Sequence, residues 1–185
     1  MQKNNQLFKW VQMGIYAALI ALAIQFIRIP LPSALSNSFV HPGNALIVLS
    51  GLLMGPKRGI IASSAGTAIF DLLNGYAAEI PGIIIENAII ILLVELFYRT
   101  VFKRQDTKPA LISTGIFAGL CKLAIVFIKF FIGQIILGSQ VQVAFYAALS
   151  GLPASFFSAI FTAVLTPILY YPMKQIFQRY HPIGE

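Results

Sequence analysis

"FFIGQIILGSQVQVAFYAALSGLPASFFSAIFTAVLTPILYYPM", residues 130–173, is the stretch that decides the class of fold, because it contains no charged residue. A membrane-spanning helix needs about 20 consecutive apolar residues, so this stretch is long enough for two spans. The polar sequence GSQVQ, residues 138–142, divides it. The stretch therefore predicts two helices that cross a bilayer and are joined by a short polar turn.

The composition of the whole chain agrees with a membrane protein. Of its 185 residues, 58% are hydrophobic and only 10% are charged, and the mean hydropathy is +0.82. A soluble domain usually carries about 25% charged residues. Cys121 is the one cysteine, which excludes a disulfide framework and a thiolate metal cluster. We predict an integral membrane protein.

Six spans can be drawn along the sequence. The run from Trp10 to Ile27 carries no charge and is followed by no clear signal-peptide cleavage site, so it predicts a retained helix. The predicted spans cover approximately residues 8–28, 41–54, 59–73, 80–97, 109–137 and 143–168, with a tail that reaches residue 177. We predict an all-α integral membrane protein in which residues 1–185 form a single compact bundle of six transmembrane helices.

The basic residues predict how this bundle is oriented. If the N-terminus is cytoplasmic, alternate loops place ten of the thirteen Lys and Arg residues on the cytoplasmic side. Cytoplasmic loops of membrane proteins carry an excess of Lys and Arg. Both termini are therefore predicted to be cytoplasmic, and the net charge of +7 is explained by topology, not by nucleic-acid binding. The ten residues are Lys3, Lys9, Lys57, Arg58, Arg99, Lys103, Arg104, Lys108, Lys174 and Arg179.

Polar residues from distant segments converge on the opposite, outer side in this topology. An acid within a span is costly unless it is paired or faces a cavity, so Glu86 predicts a functional role. Lys122 and Lys129 lie seven residues apart and share one helix face. We predict that Glu86 and Lys129 form an ion pair, which either holds two spans together or lines a solute pocket. The predicted pocket residues are Asn37, His41, Asn44, Asp71, Tyr76, Glu86, Lys129, Gln134 and Tyr146.

Some of these residues have simpler interpretations. Asp71 precedes the turn sequence Asn-Gly-Tyr and can act as a helix-end residue in contact with solvent, and Glu79 is best interpreted as an exposed loop charge. His41 and His181 fall on opposite sides of the membrane, so a site with several His ligands is not expected. The sequence contains no Walker A, HExxH or GxSxG motif, and we predict that the chain is not an enzyme.

Small residues in the first span predict close approach of another helix. Gly14, Ala17, Ala18 and Ala21 follow small-xxx-small spacing, which permits close helix packing in lipid. Contact with a partner protein and packing inside the bundle both remain open. An autonomous small secondary transporter or channel is the main rival to a solute-binding subunit, and a membrane enzyme or a structural scaffold fits less well.

The segment "HPGNALIVLSGLLMGPKRGIIASSAGTAIFDLLNGYAAEIPG", residues 41–82, resembles the S components of energy-coupling factor (ECF) vitamin transporters in the order and spacing of its motifs. Ala17-x-x-x-Ala21 resembles the motif that S components use against the membrane-embedded T component. The resemblance implies a six-helix subunit that binds a vitamin in an outward-facing pocket, in the plasma membrane of a prokaryote. It also implies partners, a T component and two cytoplasmic ATPases, which use ATP and Mg²⁺, whereas this chain binds no cofactor of its own.

The pattern is most similar to S components for hydroxymethylpyrimidine, with pyridoxine-type relatives. Asn44 stands where an Asp is frequent in that branch, and Glu86 stands where a Lys is expected. Both differences alter the charge of the predicted pocket. A pocket with Glu86 favours a ring that donates hydrogen bonds, whereas the lysines would favour the anion pantothenate. Pantothenate, folate and riboflavin remain alternatives.

Overall fold

The structure is a computed structural model that describes residues 2–31 and 38–179. In these residues the chain forms seven α-helices and one short hairpin. The hairpin strands, β1 (Ile29–Leu31) and β2 (Ser38–Val40), are antiparallel, with Ile29 opposite Val40. The helices are α1 (Gln2–Ile27), α2 (Gly43–Met54), α3 (Pro56–Leu73), α4 (Ile80–Phe102), α5 (Lys108–Ile136), α6 (Val141–Ser150) and α7 (Leu152–Arg179).

The prediction of six helices is not confirmed, because the last apolar stretch contains a second break and the described residues form seven helices. Gly151 ends α6, and the following Leu-Pro begins α7, so the predicted span over residues 143–168 crosses a helix boundary. Proline fits the first turn of a helix because the N–H that it lacks would have no partner there. Helix α6 packs against α5, and α7 runs along most of α5. Helix α7 therefore replaces the predicted sixth span.

Within residues 2–31 and 38–179, four segments are long and apolar enough to cross a membrane. They cover Gln6–Ile27, Ala77–Phe102, Lys108–Ile136 and Ser155–Arg179. Helix α2 has 12 residues, which corresponds to about 18 Å, less than the roughly 30 Å of a bilayer core. Most of α2 is buried, so it forms the interior of the bundle. Gly55 turns the chain between α2 and α3 with a φ of 81°, a conformation that glycine adopts without strain.

Helices α1 and α3 approach closely through small residues. A Cβ atom added to Gly66 would lie 2.5 Å from the backbone oxygen of Ala17. Ala17 and Ala21 are only 4% and 8% exposed, so the structure places both of them inside the bundle. Gly14, in contrast, is exposed, and an added Cβ would meet no atom within 4 Å. The open side of α1 is therefore the side that carries Gly14.

The helices run so that the chain has two distinct ends. The start of α1, the α2–α3 turn, the α4–α5 loop and the end of α7 meet at one end, which we name the terminal end. The end of α1, strand β2, the end of α3 and the starts of α2, α4 and α7 meet at the other, which we name the site end. The last two turns of α5 reach the site end as well.

Candidate functional site

A cavity of about 450 Å³ opens at the site end. We name it the site cavity. Ligand pockets in proteins are typically about 300–1,000 Å³, so the site cavity is large enough for a small organic molecule. It is formed by Ile24, Phe39, His41, Asn44, Ile47, Thr67, Phe70, Asp71, Tyr76, Glu79, Ile83, Glu86, Asn87, Lys122, Val126, Lys129, Phe130, Ser155 and Ser158.

Two ion pairs join α5 to the start of α4 along the cavity wall. Glu86 pairs with Lys122, and both side chains are largely buried, with 7% and 18% of their surface exposed. Glu79 pairs with Lys129 at 3.0 Å, and this pair is about half exposed at the cavity mouth. The predicted ion pair between Glu86 and Lys129 is therefore wrong.

The helix geometry explains why Glu86 pairs with Lys122 and Lys129 pairs with Glu79. Glu79 and Glu86 are seven residues apart, and so are Lys122 and Lys129. Seven residues of α-helix rise about 10 Å, and α4 and α5 run in opposite directions. The acid nearer the start of α4 therefore meets the lysine nearer the end of α5. The deeper acid, Glu86, meets the deeper lysine.

Two buried polar atoms of the site cavity have no hydrogen-bond partner among the described residues. They are Oδ2 of Asp71 and Nδ1 of His41. Asp71 is only 3% exposed, although it lies near the end of α3. A buried polar group without a partner costs free energy, about 1–3 kcal/mol and more for a charged group. Both atoms keep a hydrogen-bonding capacity that no described residue satisfies, and a neutral His41 can either accept or donate at Nδ1.

The protonation of His41 follows from its position in the loop before α2. Burial, and to a lesser extent the charge of Lys122, lowers the pKa of His41 to about 4. The imidazole is therefore neutral near pH 7. The charged residues of the lining are then three acids and two lysines. Lys122 pairs with Glu86, and Lys129 pairs with Glu79. Of the three acids in the lining, Asp71 is the one whose carboxylate forms no ion pair with a described residue.

Aromatic rings close the rim of the cavity. The ring centroid of Tyr76 lies 6.1 Å from that of Phe39 and 6.3 Å from that of Phe70. The guanidinium of Arg28 lies 5.3 Å from the centroids of both phenylalanine rings and donates a hydrogen bond of 2.9 Å to Asn74. The Asn-Gly-Tyr turn positions Tyr76, whose backbone N–H donates to the carbonyl of Asp71. The rim can stack on a flat ring.

The deeper wall carries neutral polar groups. The Asn87 side chain donates to the hydroxyl of Thr67 at 3.1 Å, and that hydroxyl donates to the backbone of Ser63. Ser158 donates to the carbonyl of Phe39, which ties α7 to strand β2. These groups are partnered within the protein and therefore shape the cavity. Among the described residues, the buried cavity atoms that lack a hydrogen-bond partner are therefore Oδ2 of Asp71 and Nδ1 of His41.

Six of the nine predicted pocket residues line the site cavity: His41, Asn44, Asp71, Tyr76, Glu86 and Lys129. Two do not. Gln134 accepts a hydrogen bond from Ser139 beyond the cavity, and Tyr146 lies on α6 with 62% of its surface exposed. Asn37 falls outside the described residues.

Several lining residues were not among those predicted. Lys122 and Asn87 were visible as polar residues within spans, but their side chains could not be assigned to a cavity. Ser155 and Ser158 are three residues apart and therefore share one face of α7. The sequence does not predict that they line a cavity, because the predicted sixth span crosses the α6–α7 boundary.

The described part of the chain offers no cluster of three or more His, Cys, Asp or Glu side chains that could hold a metal ion. Cys121 is half-buried and unpaired. The arrangement combines an aromatic rim, hydrogen-bonding groups and opposite charges around a hollow. This is the chemistry of a membrane-embedded subunit that binds a small molecule.

Comparison with known proteins identifies the family. The family model described as "ECF-type riboflavin transporter, S component" matches residues 4–175. The chain therefore belongs to the S components of ECF-type transporters, which are membrane-spanning, substrate-binding transporter subunits and not enzymes. This confirms the resemblance at the level of the family, whereas the hydroxymethylpyrimidine branch is not confirmed.

A solved structure has a similar fold. It is described as "Structure and mechanism of the S component of a bacterial ECF transporter". The TM-score is 0.66 at 17% sequence identity, and the match covers 94% of this chain and 99% of the other. At this identity the similarity establishes the fold alone. The comparison with curated proteins found no match.

Proposed function

We propose that the chain captures a neutral heteroaromatic vitamin in the site cavity and delivers it across the plasma membrane of a prokaryote. The site end then faces outward and both termini face the cytoplasm, because the basic residues concentrate at the terminal end. The observation that carries this proposal is the unpartnered, buried carboxylate oxygen of Asp71 in a cavity with an aromatic rim. Such an atom favours a ligand that donates a hydrogen bond.

Riboflavin is the first candidate for that ligand. The cavity volume of about 450 Å³ suits a three-ring molecule better than a single small ring, and the matching family model carries the riboflavin description. Riboflavin is uncharged, its flat ring system can stack on Tyr76 and the rim phenylalanines, and its hydroxyl and N–H groups can donate to Asp71. The charge of the lining disfavours the anions pantothenate and folate, because each lysine is already paired.

Hydroxymethylpyrimidine and pyridoxine are the second candidates. The motif in residues 41–82 supports them, and an aminopyrimidine can also donate a hydrogen bond to Asp71. A single ring would, however, leave much of the site cavity to water. Because these single-ring molecules fill the site cavity less completely than riboflavin, we expect them to bind more weakly than riboflavin in the same experiment.

The experiment is a ligand screen of the purified chain in detergent without metal or ATP. Riboflavin fluorescence should be quenched when its ring stacks on the aromatic rim, and calorimetry should show one site. Tyr76→Leu should weaken binding, whereas the control Tyr146→Leu, on the exposed side of α6, should not. Tight binding of hydroxymethylpyrimidine or pyridoxine instead would change the substrate, and failure of the whole vitamin panel would contradict the proposed function.

The energy for release is proposed to come from partners, a membrane T component and two ATPases that use ATP and Mg²⁺. A subunit without its own energy source can move its ligand only if partners bind its two states differently. Transport by liposomes that contain this chain alone would support the rival, an autonomous transporter. Uptake only with the T component and ATPases supports the proposal.

We propose that the open side of α1 contacts the T component. Gly14 and Ala18 are exposed and four residues apart, which fits small-xxx-small packing against another helix. Gly14→Leu should reduce copurification with the T component while ligand affinity is unchanged. Ala17→Leu should instead destabilise the isolated chain, because Ala17 packs against Gly66. Normal assembly of Gly14→Leu would exclude this side of α1.

A further inference from the structure

A second cavity, of about 290 Å³, lies at the terminal end, away from the site cavity. We name it the terminal cavity. We propose that it binds a phosphate-bearing anion, the headgroup of an anionic membrane lipid. The proposal does not depend on which vitamin the site cavity takes. The cavity is lined by Gln12, Leu52, Leu53, Met54, Arg58, Glu95, Tyr98, Arg104, Asp106, Tyr170, Lys174, Phe177 and Gln178.

Among the described residues, one arginine of this cavity has no counterion. Arg104 pairs with Glu95, and Lys174 pairs with Asp106. Both acids of the lining are therefore neutralised. Arg58 lines the same cavity and is half-buried, yet it forms no ion pair or hydrogen bond with the described residues. The terminal cavity has a net charge of about +1, which favours a single anionic group.

The chemistry of arginine favours phosphate in this position. A guanidinium presents five N–H donors in a planar fork that matches the oxygens of a phosphate. A half-buried guanidinium loses part of its hydration, and a bound phosphate would replace those hydrogen bonds. The carboxylate of Asp106 cannot do so, because it already accepts from Tyr98, Tyr170 and Lys174. Among the charged groups of the lining, Arg58 is the one that forms no ion pair with a described residue.

The position of the cavity favours a lipid over free phosphate. Gln12 and Phe177 belong to its lining, and their chain neighbours Val11 and Ile176 are 49% and 57% exposed on the outside of the bundle. Trp10 is also exposed, at 61%, and tryptophan is enriched at the level of lipid headgroups. Basic pockets between transmembrane helices on the cytoplasmic side are known to take anionic headgroups. Acyl chains could then lie along this apolar surface.

The test compares short-chain lipids that differ only in headgroup charge. The full-length chain in a neutral detergent receives dihexanoyl phosphatidylglycerol, dihexanoyl phosphatidylcholine or inorganic phosphate, at constant ionic strength. Thermal unfolding and native mass spectrometry report binding. Phosphatidylglycerol should raise the unfolding temperature and remain bound in the mass spectrum, whereas phosphatidylcholine should do neither. Arg58→Gln should weaken phosphatidylglycerol binding about fivefold, as expected for one lost charge contact.

Lys57→Gln is the matched control, because Lys57 is the exposed neighbour of Arg58 and carries the same charge. It should change the phosphatidylglycerol affinity far less. If Arg58→Gln does not fold, lipid competition on the unmodified chain still tests the headgroup preference. Arg58→Lys, which keeps the charge but lacks the planar fork, should then weaken phosphatidylglycerol binding if the guanidinium contacts the phosphate. A response to inorganic phosphate that equals the lipid response, and that requires Arg58, would assign the site to free phosphate. Equal effects of both lipids, or unchanged binding in Arg58→Gln, would overturn the proposal.

Discussion

The two ends of the bundle differ in whether the carboxylate of their central aspartate has hydrogen-bond partners. At the terminal end, Asp106 accepts hydrogen bonds from Tyr98 and Tyr170 and pairs with Lys174, while Tyr171 donates to its backbone carbonyl. At the site end, one oxygen of Asp71 has no partner among the described residues, although Asp71 is more deeply buried. A satisfied acid holds helices together. An unsatisfied one is maintained at a cost and indicates a ligand contact.

The ion pair with the least exposed side chains, Glu86–Lys122, also lies at the site end. Glu86 and Lys122 are largely buried, whereas the Arg104 side chain in the pair with Glu95 is 56% exposed. Breaking a buried pair leaves an uncompensated charge, but an exposed pair contributes little because water screens it. The buried Glu86–Lys122 pair should therefore contribute more to stability than the Glu95–Arg104 pair or the half-exposed Glu79–Lys129 pair.

The largest expected effect comes from breaking the buried pair. Glu86→Leu or Lys122→Leu alone should lower the free energy of unfolding by about 3–5 kcal/mol, because the remaining charge stays buried. The double variant should recover much of this loss. Reversible unfolding in mixed micelles with increasing dodecyl sulfate measures these differences.

The matched control for that experiment is Glu95→Leu at the terminal end. In this ion pair the Glu95 side chain is 13% exposed and the Arg104 side chain 56% exposed. The charge that remains, Arg104, stays solvated, so the loss should be about 1 kcal/mol or less. If the double variant is as unstable as the sum of the two single variants, Glu86 and Lys122 act independently. The contrast between the two ends would then lose its basis.

The second effect separates binding from stability. Asp71→Asn should lower ligand affinity about 10–100-fold, because a hydrogen bond to a charged group contributes about 1.5–3 kcal/mol. The ligand-free protein should be as stable or more stable, since a buried unpaired charge is removed. Calorimetric titration measures affinity, and thermal unfolding of the same samples measures stability.

Tyr98→Phe is the control for Asp71→Asn, because it removes one hydrogen bond to Asp106 at the terminal end. It should cost about 1 kcal/mol of stability and leave ligand affinity unchanged. A loss of stability in Asp71→Asn without a loss of affinity would make Asp71 a structural residue. The difference between the two ends would then reflect packing alone.

The sequence predicted the membrane bundle, the family and six lining residues because these depend on local composition and motif order. It did not predict the α6–α7 break, because the Gly-Leu-Pro sequence lies within an apolar run that has the length of a span. Polarity marked Glu86, Lys122 and Lys129 as important. It could not decide their pairing.

The pairing depends on the register between α4 and α5. That register is set by the α4–α5 loop and by packing, neither of which hydropathy reveals. The prediction that Gln134 and Tyr146 line the pocket was wrong for a related reason. The depth of a residue in a span does not determine which way its side chain points. Ala17 and Ala21 show the same ambiguity, because small residues permit close packing against either a partner or α3.

The third effect is a difference in pH response between the ends, which comes from His41 at the site end and Asp106 at the terminal end. Burial lowers the pKa of His41 to about 4, so the unfolded chain takes up a proton first as the pH falls. The stabilising contribution of neutral His41 is therefore complete above its ordinary pKa of about 6.5 and is lost as the pH falls toward 4.

Asp106 responds in a lower window. Burial alone would raise the pKa of Asp106, but hydrogen bonds from Lys174, Tyr170 and Tyr98 outweigh it and lower the pKa below the usual value. Its contribution is complete above the unfolded pKa of about 3.9 and is lost as the pH falls through the folded pKa. Unfolding temperatures from pH 7 to pH 3 should thus decline in two steps. His41→Gln should remove the upper step and Asp106→Asn the lower one. If either variant removes both steps, the two ends are coupled through the bundle, and the separation between a binding end and a structural end does not hold.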